Sequence, residues 1–177
     1  YFTRFCANTQ QLQQTVLPNV GIIVTIPCYN EPDIFTTLNS LCACQLPSCD
    51  VEIIITVNYS ETAANEVKQR EQESFEAIAE YARAHSTSRL QLLPLFAPNL
   101  PAKFAGVGLA RKISMDEAIH RFSRTNNVDG IIASCDADVT VDANYFVEIE
   151  KFYQENPECG GANCYFEHPL EGDLPQY

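Results

Sequence analysis

Gly21-Ile22-Ile23-Val24-Thr25-Ile26-Pro27-Cys28-Tyr29-Asn30-Glu31 is a nearly unbroken apolar run that stops at a proline and turns polar. A β-branched run without polar alternation is what a strand buried on both faces requires, and such strands belong to parallel sheets. A helical pattern follows at once, with Ile34, Phe35, Leu38, Leu41 and Cys42 on one face. Asn30 is predicted to cap that helix, and Pro32 is tolerated in its first turn.

The same alternation extends outward through the chain. Val51–Val57 (VEIIITV) reads as a second strand. A helix over about 62–84 follows, with Phe75, Ile78, Ala79 and Ala82 facing in and Glu66 and Arg70 forming an exposed pair. Leu90–Phe96 reads as a third strand, and the two prolines of Ala97–Ala105 predict a loop. From Gly106 to Thr125 a helix is expected with Met115, Ala118, Ile119 and Phe122 as its stripe. Gly130–Cys135 reads as a fourth, buried strand, Asp142–Glu155 as a helix and Ala162–Phe166 as a fifth strand. This order predicts an α/β fold, a mostly parallel sheet with helices on both faces. Ligands of such sheets sit beyond the carboxyl ends of the strands.

The composition agrees with one domain. There are 177 residues, of which 46% are hydrophobic and 19% charged, so one sizeable core is available. The net charge of −12 excludes a nucleic-acid-binding protein, because affinity for that polymer comes from cations set against phosphates. No run approaches the 18 apolar residues of a membrane span. Eight cysteines would suit a secreted disulfide scaffold, yet the long periodic segments and core-type placement of Cys28, Cys135 and Cys164 favour thiols in a reducing cytoplasm. Cys42, Cys44 and Cys49 lack a nearby histidine to complete a zinc site, and Cys42 falls on an apolar helix face. The chain begins at Tyr1 and ends on Leu174-Pro-Gln-Tyr177, and is expected to be a piece of something longer.

Chemistry is expected at the strand ends. Asp136-Ala-Asp138 follows the fourth strand, and a spacing of two on extended chain points both carboxylates to one side. Carboxylates that close repel unless a cation lies between them, and hard oxygen ligands suit Mg²⁺ or Mn²⁺. A simple turn is the alternative. Pro27-Cys-Tyr-Asn-Glu31 ends the first strand, with Tyr29 offering a flat face for a base. Asn58 and Ser60, after the second strand, supply an amide and a hydroxyl for a base or ribose, or else form a turn. Gly106-Val-Gly-Leu-Ala-Arg111 is not a dinucleotide fingerprint, since arginine replaces the third glycine. Lys103, Arg111 and Lys112 are three cations within ten residues, fit to neutralise a diphosphate. Of the histidines, His85 closes a helix, His120 is mid-helix and His168 is a further candidate metal ligand.

Taken in order, IIVTIPCYNE, VEIIITVNYSE, GLARKISMDEAI and GIIASCDADVTVDANYFVEI resemble the nucleotide-sugar-binding half of family 2 inverting glycosyltransferases. The resemblance covers about residues 20–167 and implies a GT-A fold, a nucleotide-diphosphate sugar donor (most often a UDP-sugar) and a divalent cation. By position, Pro27, Tyr29 and Glu31 resemble the nucleoside-pocket segment. Asp136 would face ribose and cation, Asp138 would be the direct metal ligand, and Arg111 and Lys103 would lie near the base or diphosphate. The chain departs from the family at the second strand, where two acids and Gly-Ser are usual and Val57-Asn58-Tyr59-Ser60 stands instead.

The resemblance implies a hexosyltransferase-type reaction of polysaccharide biosynthesis: displacement at the anomeric carbon with inversion, a glycan or other hydroxyl acceptor, and a carboxylate as general base. Nothing after Asp138 fits that base. Glu167, Glu171 and Asp173 lack the surrounding pattern, so the base is expected beyond residue 177. Residues 1–20 are accordingly expected to be an N-terminal extension, 21–167 the donor-binding domain and 168–177 the start of an acceptor region. The expected location is cytoplasmic, at the inner membrane surface through parts outside this chain. The alternatives are a sugar-phosphate nucleotidylyltransferase, which should carry a Gly-rich basic loop where IPCYNEP stands, and a catalytically inactive binding fragment.

Overall fold

The computed structural model describes residues 1–6 and 11–167. Within them the chain alternates strand and helix: β1 Val20–Cys28, α1 Ile34–Cys42, β2 Asp50–Ser60, α2 Asn65–His85, β3 Leu90–Leu100, α3 Val107–Thr125, β4 Ile131–Ser134 and α4 Tyr145–Glu155. The four strands form one parallel sheet in the order β3-β2-β1-β4, so β1 and β2 are central. All of the Ile and Val residues of β1 are buried, as are those of β2, because helices cover both faces.

The pleat divides those side chains between two cores. Ile22, Val24, Ile26, Ile53 and Ile55 point to one face, where α1, α2 and α4 deliver Leu38, Leu41, Ile78, Ala82 and Phe146. Ile23, Ile54, Leu93 and Leu95 point to the other, against Ile113, Ala118 and Phe122 of α3. Each fully buried Ile of this kind contributes about 1.5–3 kcal/mol of burial. Leu12 and Val16, just ahead of β1, pack into that second core.

That segment is held by a buried ionic cluster. Arg121 of α3 and Glu52 of β2 are fully buried and paired, with Arg121 Nη2 donating to Glu52 Oε1 at 2.8 Å. Arg121 also donates to the carbonyls of Gln14 (3.2 Å) and Thr15 (3.4 Å). Glu52 accepts from Leu17 N (2.9 Å) and Glu117 from Gln11 N (2.8 Å). The inner face of α3 therefore carries Ser114, Glu117 and Arg121, and Met115 and Ile119 are only half-buried, in contrast to the simple apolar stripe expected. A charge on a central strand requires a counter-charge on the helix above it.

Other local expectations are corrected. Asn30 does not cap α1. It takes a left-handed conformation (φ 51°) outside the helix, and Asp33 stands at the N-cap. Asparagine tolerates this conformation, which lets the chain turn sharply out of β1. β3 continues four residues past Phe96 through Pro98, with an irregular register between Asn58 and Ser60, where Asn99 is also left-handed. The prolines are accommodated because β3 is an edge strand. β4 is half-buried, since only β1 pairs with it among the described residues. Residues 162–166 form no strand and are exposed, so Cys164 is a surface thiol. Arg70 pairs with Glu71 at 3.2 Å, not with Glu66. None of the eight cysteines is in a disulfide; Cys42 packs against the core and Cys44 is buried within it.

Candidate functional site

A cleft of about 760 Å³ opens where β1, β2 and β4 end and α3 begins. Its wall includes Pro27, Tyr29, Glu31, Asn58, Ser60, Arg111, Asp136 and Asp138. Eight residues from four separate stretches of sequence thus converge on one space. Lys103 is the exception: it does not line the cleft, and its ammonium lies 5.3 Å from the ring centroid of the adjacent Phe104. Lys103 sits in the turn that precedes α3, where Phe104 N and Ala105 N bond Pro101 O. His168, Glu171 and Asp173 lie outside the described residues, and Glu167 is exposed beside Tyr165. Lys112 is turned to Asp116 and the Tyr1 hydroxyl.

Each side chain is placed by the packing beneath it. Tyr29 and Glu31 flank left-handed Asn30 and reach the cleft from either side of that turn. Tyr29 is half exposed, leaving its ring free to meet a flat ligand group. Asn58 is 3% exposed and forms part of the floor. Ser60 is already engaged with Thr62, its Oγ 3.1 Å from Thr62 Oγ1 and 3.3 Å from Thr62 N.

Arg111 stands near the amino end of α3, and Ser114, three residues on, ties the helix to β2 through Thr56 Oγ1 at 2.6 Å. Its Nη2 donates to Asp136 Oδ1 at 2.5 Å, while its Nε is buried without a partner. Gly106, with φ 150°, and Val107 also line the cleft, so the amino end of a 19-residue helix faces it. A helix terminus there favours a negatively charged ligand group. The Asp136–Asp138 loop is fixed from both sides. Cys135 N donates to Thr25 O at 3.0 Å, and the buried Thr37 hydroxyl of α1 donates to Ala137 O at 2.8 Å.

Both aspartates are exposed to the cleft. The described residues contain no group of three or more His, Cys, Asp and Glu side chains able to hold a metal. Asp136 and Asp138 are the carboxylates at this edge of the cleft, and Asp136 already accepts from Arg111. Sequence reasoning missed Thr37, Thr62 and Val67, which are ordinary residue types, and Glu71, which accepts hydrogen bonds from the Asn30 backbone. Glu71 was detectable as a charge on the inward stripe Val67, Glu71, Ile78 and Ala82 of α2.

Fold and cleft together define an α/β protein with a ligand-sized site at the carboxyl edge of a parallel sheet. No family model matches the chain, and no curated protein matches it. Among solved structures, it is similar to the crystal structure of S. aureus TarS 1–349, with a TM-score of 0.47 and 19% sequence identity. The likeness covers 77% of this chain and 33% of that one, so the chain spans about a third of the length of the structure it matches. No helix among the described residues is long and apolar enough to cross a membrane.

Proposed function

We propose that this cleft binds a nucleotide-diphosphate sugar, a UDP-sugar foremost, and that the chain is the donor-binding part of a metal-dependent inverting glycosyltransferase of family 2. The observation that carries this reading is the convergence in one cleft of Arg111, the α3 amino terminus, the two aspartates, the Tyr29 ring and the buried Asn58 amide. Cations and helix N–H groups suit a diphosphate. A flat ring and an amide suit a nucleobase, and a carboxylate suits ribose hydroxyls.

In this assignment Pro27, Tyr29, Glu31 and Asn58 hold the nucleoside, with Ser60 at its edge. Asp136 turns toward ribose and cation, and Arg111 toward the diphosphate. Asp138 and Asp136 hold Mg²⁺ or Mn²⁺, which when bound supplies Lewis-acid stabilisation of the leaving diphosphate. A glycan or other hydroxyl acceptor receives the sugar. No residue of this chain is assigned as the base that deprotonates the acceptor, so the chain alone is proposed to bind donor without turning it over. The proposed setting is polysaccharide biosynthesis on the cytoplasmic side of a membrane.

Isothermal titration with UDP and Mn²⁺ tests the reading, with Asp138→Ala as control. The expected result is UDP binding that strengthens with Mn²⁺ and loses that dependence in the variant. If neither nucleotide nor metal binds at millimolar concentration, the reading is wrong.

A further inference from the structure

Glu71 lies on α2, is 1% exposed, and does not itself line the cleft. Its carboxylate accepts the backbone N–H of Asn30, at 3.1 Å to Oε1 and 3.3 Å to Oε2. Asn30 is the residue that takes the left-handed turn between Tyr29 and Glu31, both of which do line the cleft. One turn earlier on the same helix face, Val67 also lines it. The remaining partner of Glu71 is its neighbour Arg70, whose Nε and Nη2 donate at 3.2 Å and which is half exposed.

A buried carboxylate is expensive to keep, and an apolar residue at this place on the α2 stripe would pack without that cost. What the carboxylate offers is an acceptor for an N–H that no strand or helix satisfies. Asn30 is itself exposed, so without Glu71 its N–H would turn to water and the turn would lose its tie to α2. From this geometry we infer that Glu71 is a positioning residue for the cleft: by holding Asn30 N–H it fixes the left-handed turn that sets Tyr29 and Glu31 in place for ligand. The inference rests on the cleft being a nucleotide site. It adds a residue of α2, more than forty positions from the turn, to that site's machinery.

The test compares Glu71→Leu, Glu71→Gln and Ile78→Val in the full chain, with UDP plus Mn²⁺ as the probe. Ile78 lies on the same buried face of α2, so its truncation perturbs packing without touching the turn. UDP affinity is expected to fall about tenfold in Glu71→Leu, the scale of one lost hydrogen bond to a charged group. It should recover to within about threefold in Glu71→Gln, whose amide oxygen still accepts, and remain unchanged in Ile78→Val. Amide hydrogen exchange on the unaltered protein is the companion measurement, and the Asn30 N–H is expected to be protected.

The inference is overturned if Glu71→Leu binds UDP as tightly as the parent, or if Ile78→Val loses as much affinity as Glu71→Leu. Open-chain exchange at Asn30 in the folded protein also overturns it, and that result does not depend on any variant folding. Failure of the unaltered protein to bind UDP would instead overturn the nucleotide reading, while the exchange measurement would still report on the turn.

Discussion

Arg111 Nη2 lies 2.5 Å from Asp136 Oδ1, joining the amino-terminal part of α3 to the loop that follows β4 in the wall of the cleft. Asp136 is largely exposed, so the pair contributes little to stability in water. In the proposed reading its weight is in ligand binding. A guanidinium with one terminal nitrogen on a carboxylate still has terminal N–H donors left for a phosphate.

Arg111→Ala is therefore expected to weaken UDP binding about tenfold or more, and Arg111→Lys less, because an ammonium retains the charge without the fork. Uridine, which has no phosphate, should bind all three proteins alike. Titrations with both ligands check this. Equal losses for uridine and UDP would remove Arg111 from the diphosphate site.

For the aspartates, Asp138→Asn should abolish the gain in UDP affinity that Mn²⁺ confers, because an amide is a poorer ligand for a hard cation. Chelation of Mn²⁺ in the unaltered protein should have the same effect. UDP binding indifferent to chelator would place the cation elsewhere or remove it. The thermal midpoint should hardly move, since Asp138 is exposed.

The sheet and the strand-end residues were legible because they depend on local patterns. β1 and β2 announce themselves as unbroken Ile and Val runs, and Asp136 and Asp138 follow β4 directly. What was not legible depends on contacts distant in sequence. Nothing near Glu52 indicates that Arg121, 69 positions away, neutralises it, so the pattern of α3 suggests only the stripe Met115, Ala118, Ile119 and Phe122. Lys103 looked equivalent to Arg111 by charge and spacing, but a turn separates them and only Arg111 faces the cleft. Asn30 has the composition of a helix cap and serves instead as a left-handed turn, because Glu71 of α2 is there to take its N–H.

The Glu52–Arg121 pair yields a stability prediction. Both groups are fully buried, so Arg121→Ala would leave an uncompensated carboxylate in the core and free the carbonyls of Gln14 and Thr15. Urea unfolding should show a loss of about 3–5 kcal/mol. Replacing both partners, Glu52→Leu with Arg121→Met, should cost less than Arg121→Ala alone, since no charge is then stranded. A double variant less stable than Arg121→Ala would mean that the pair is a net source of stability.

The buried thiols and phenols set the alkaline limit. Burial pushes Cys28 and Cys135 up to about 12 and Cys49 to about 11, from an ordinary value of 9.0. Burial likewise pushes Tyr81 to about 12, from 10.0, and raises Tyr145. In each case the native state holds its proton to higher pH than the unfolded chain does. Stability is therefore intact below about pH 9, where both states are protonated, and falls as pH rises from 9 towards 12, because unfolding then releases protons. Thermal midpoints measured between pH 7 and 11 should be flat to about 9 and then decline. Iodoacetamide at pH 8 should label the exposed Cys164 first and reach Cys28 and Cys135 only on unfolding, because the thiolate is the reactive form. A midpoint that rises above pH 9, or Cys28 labelling as fast as Cys164, would show that these thiols are not shielded as described.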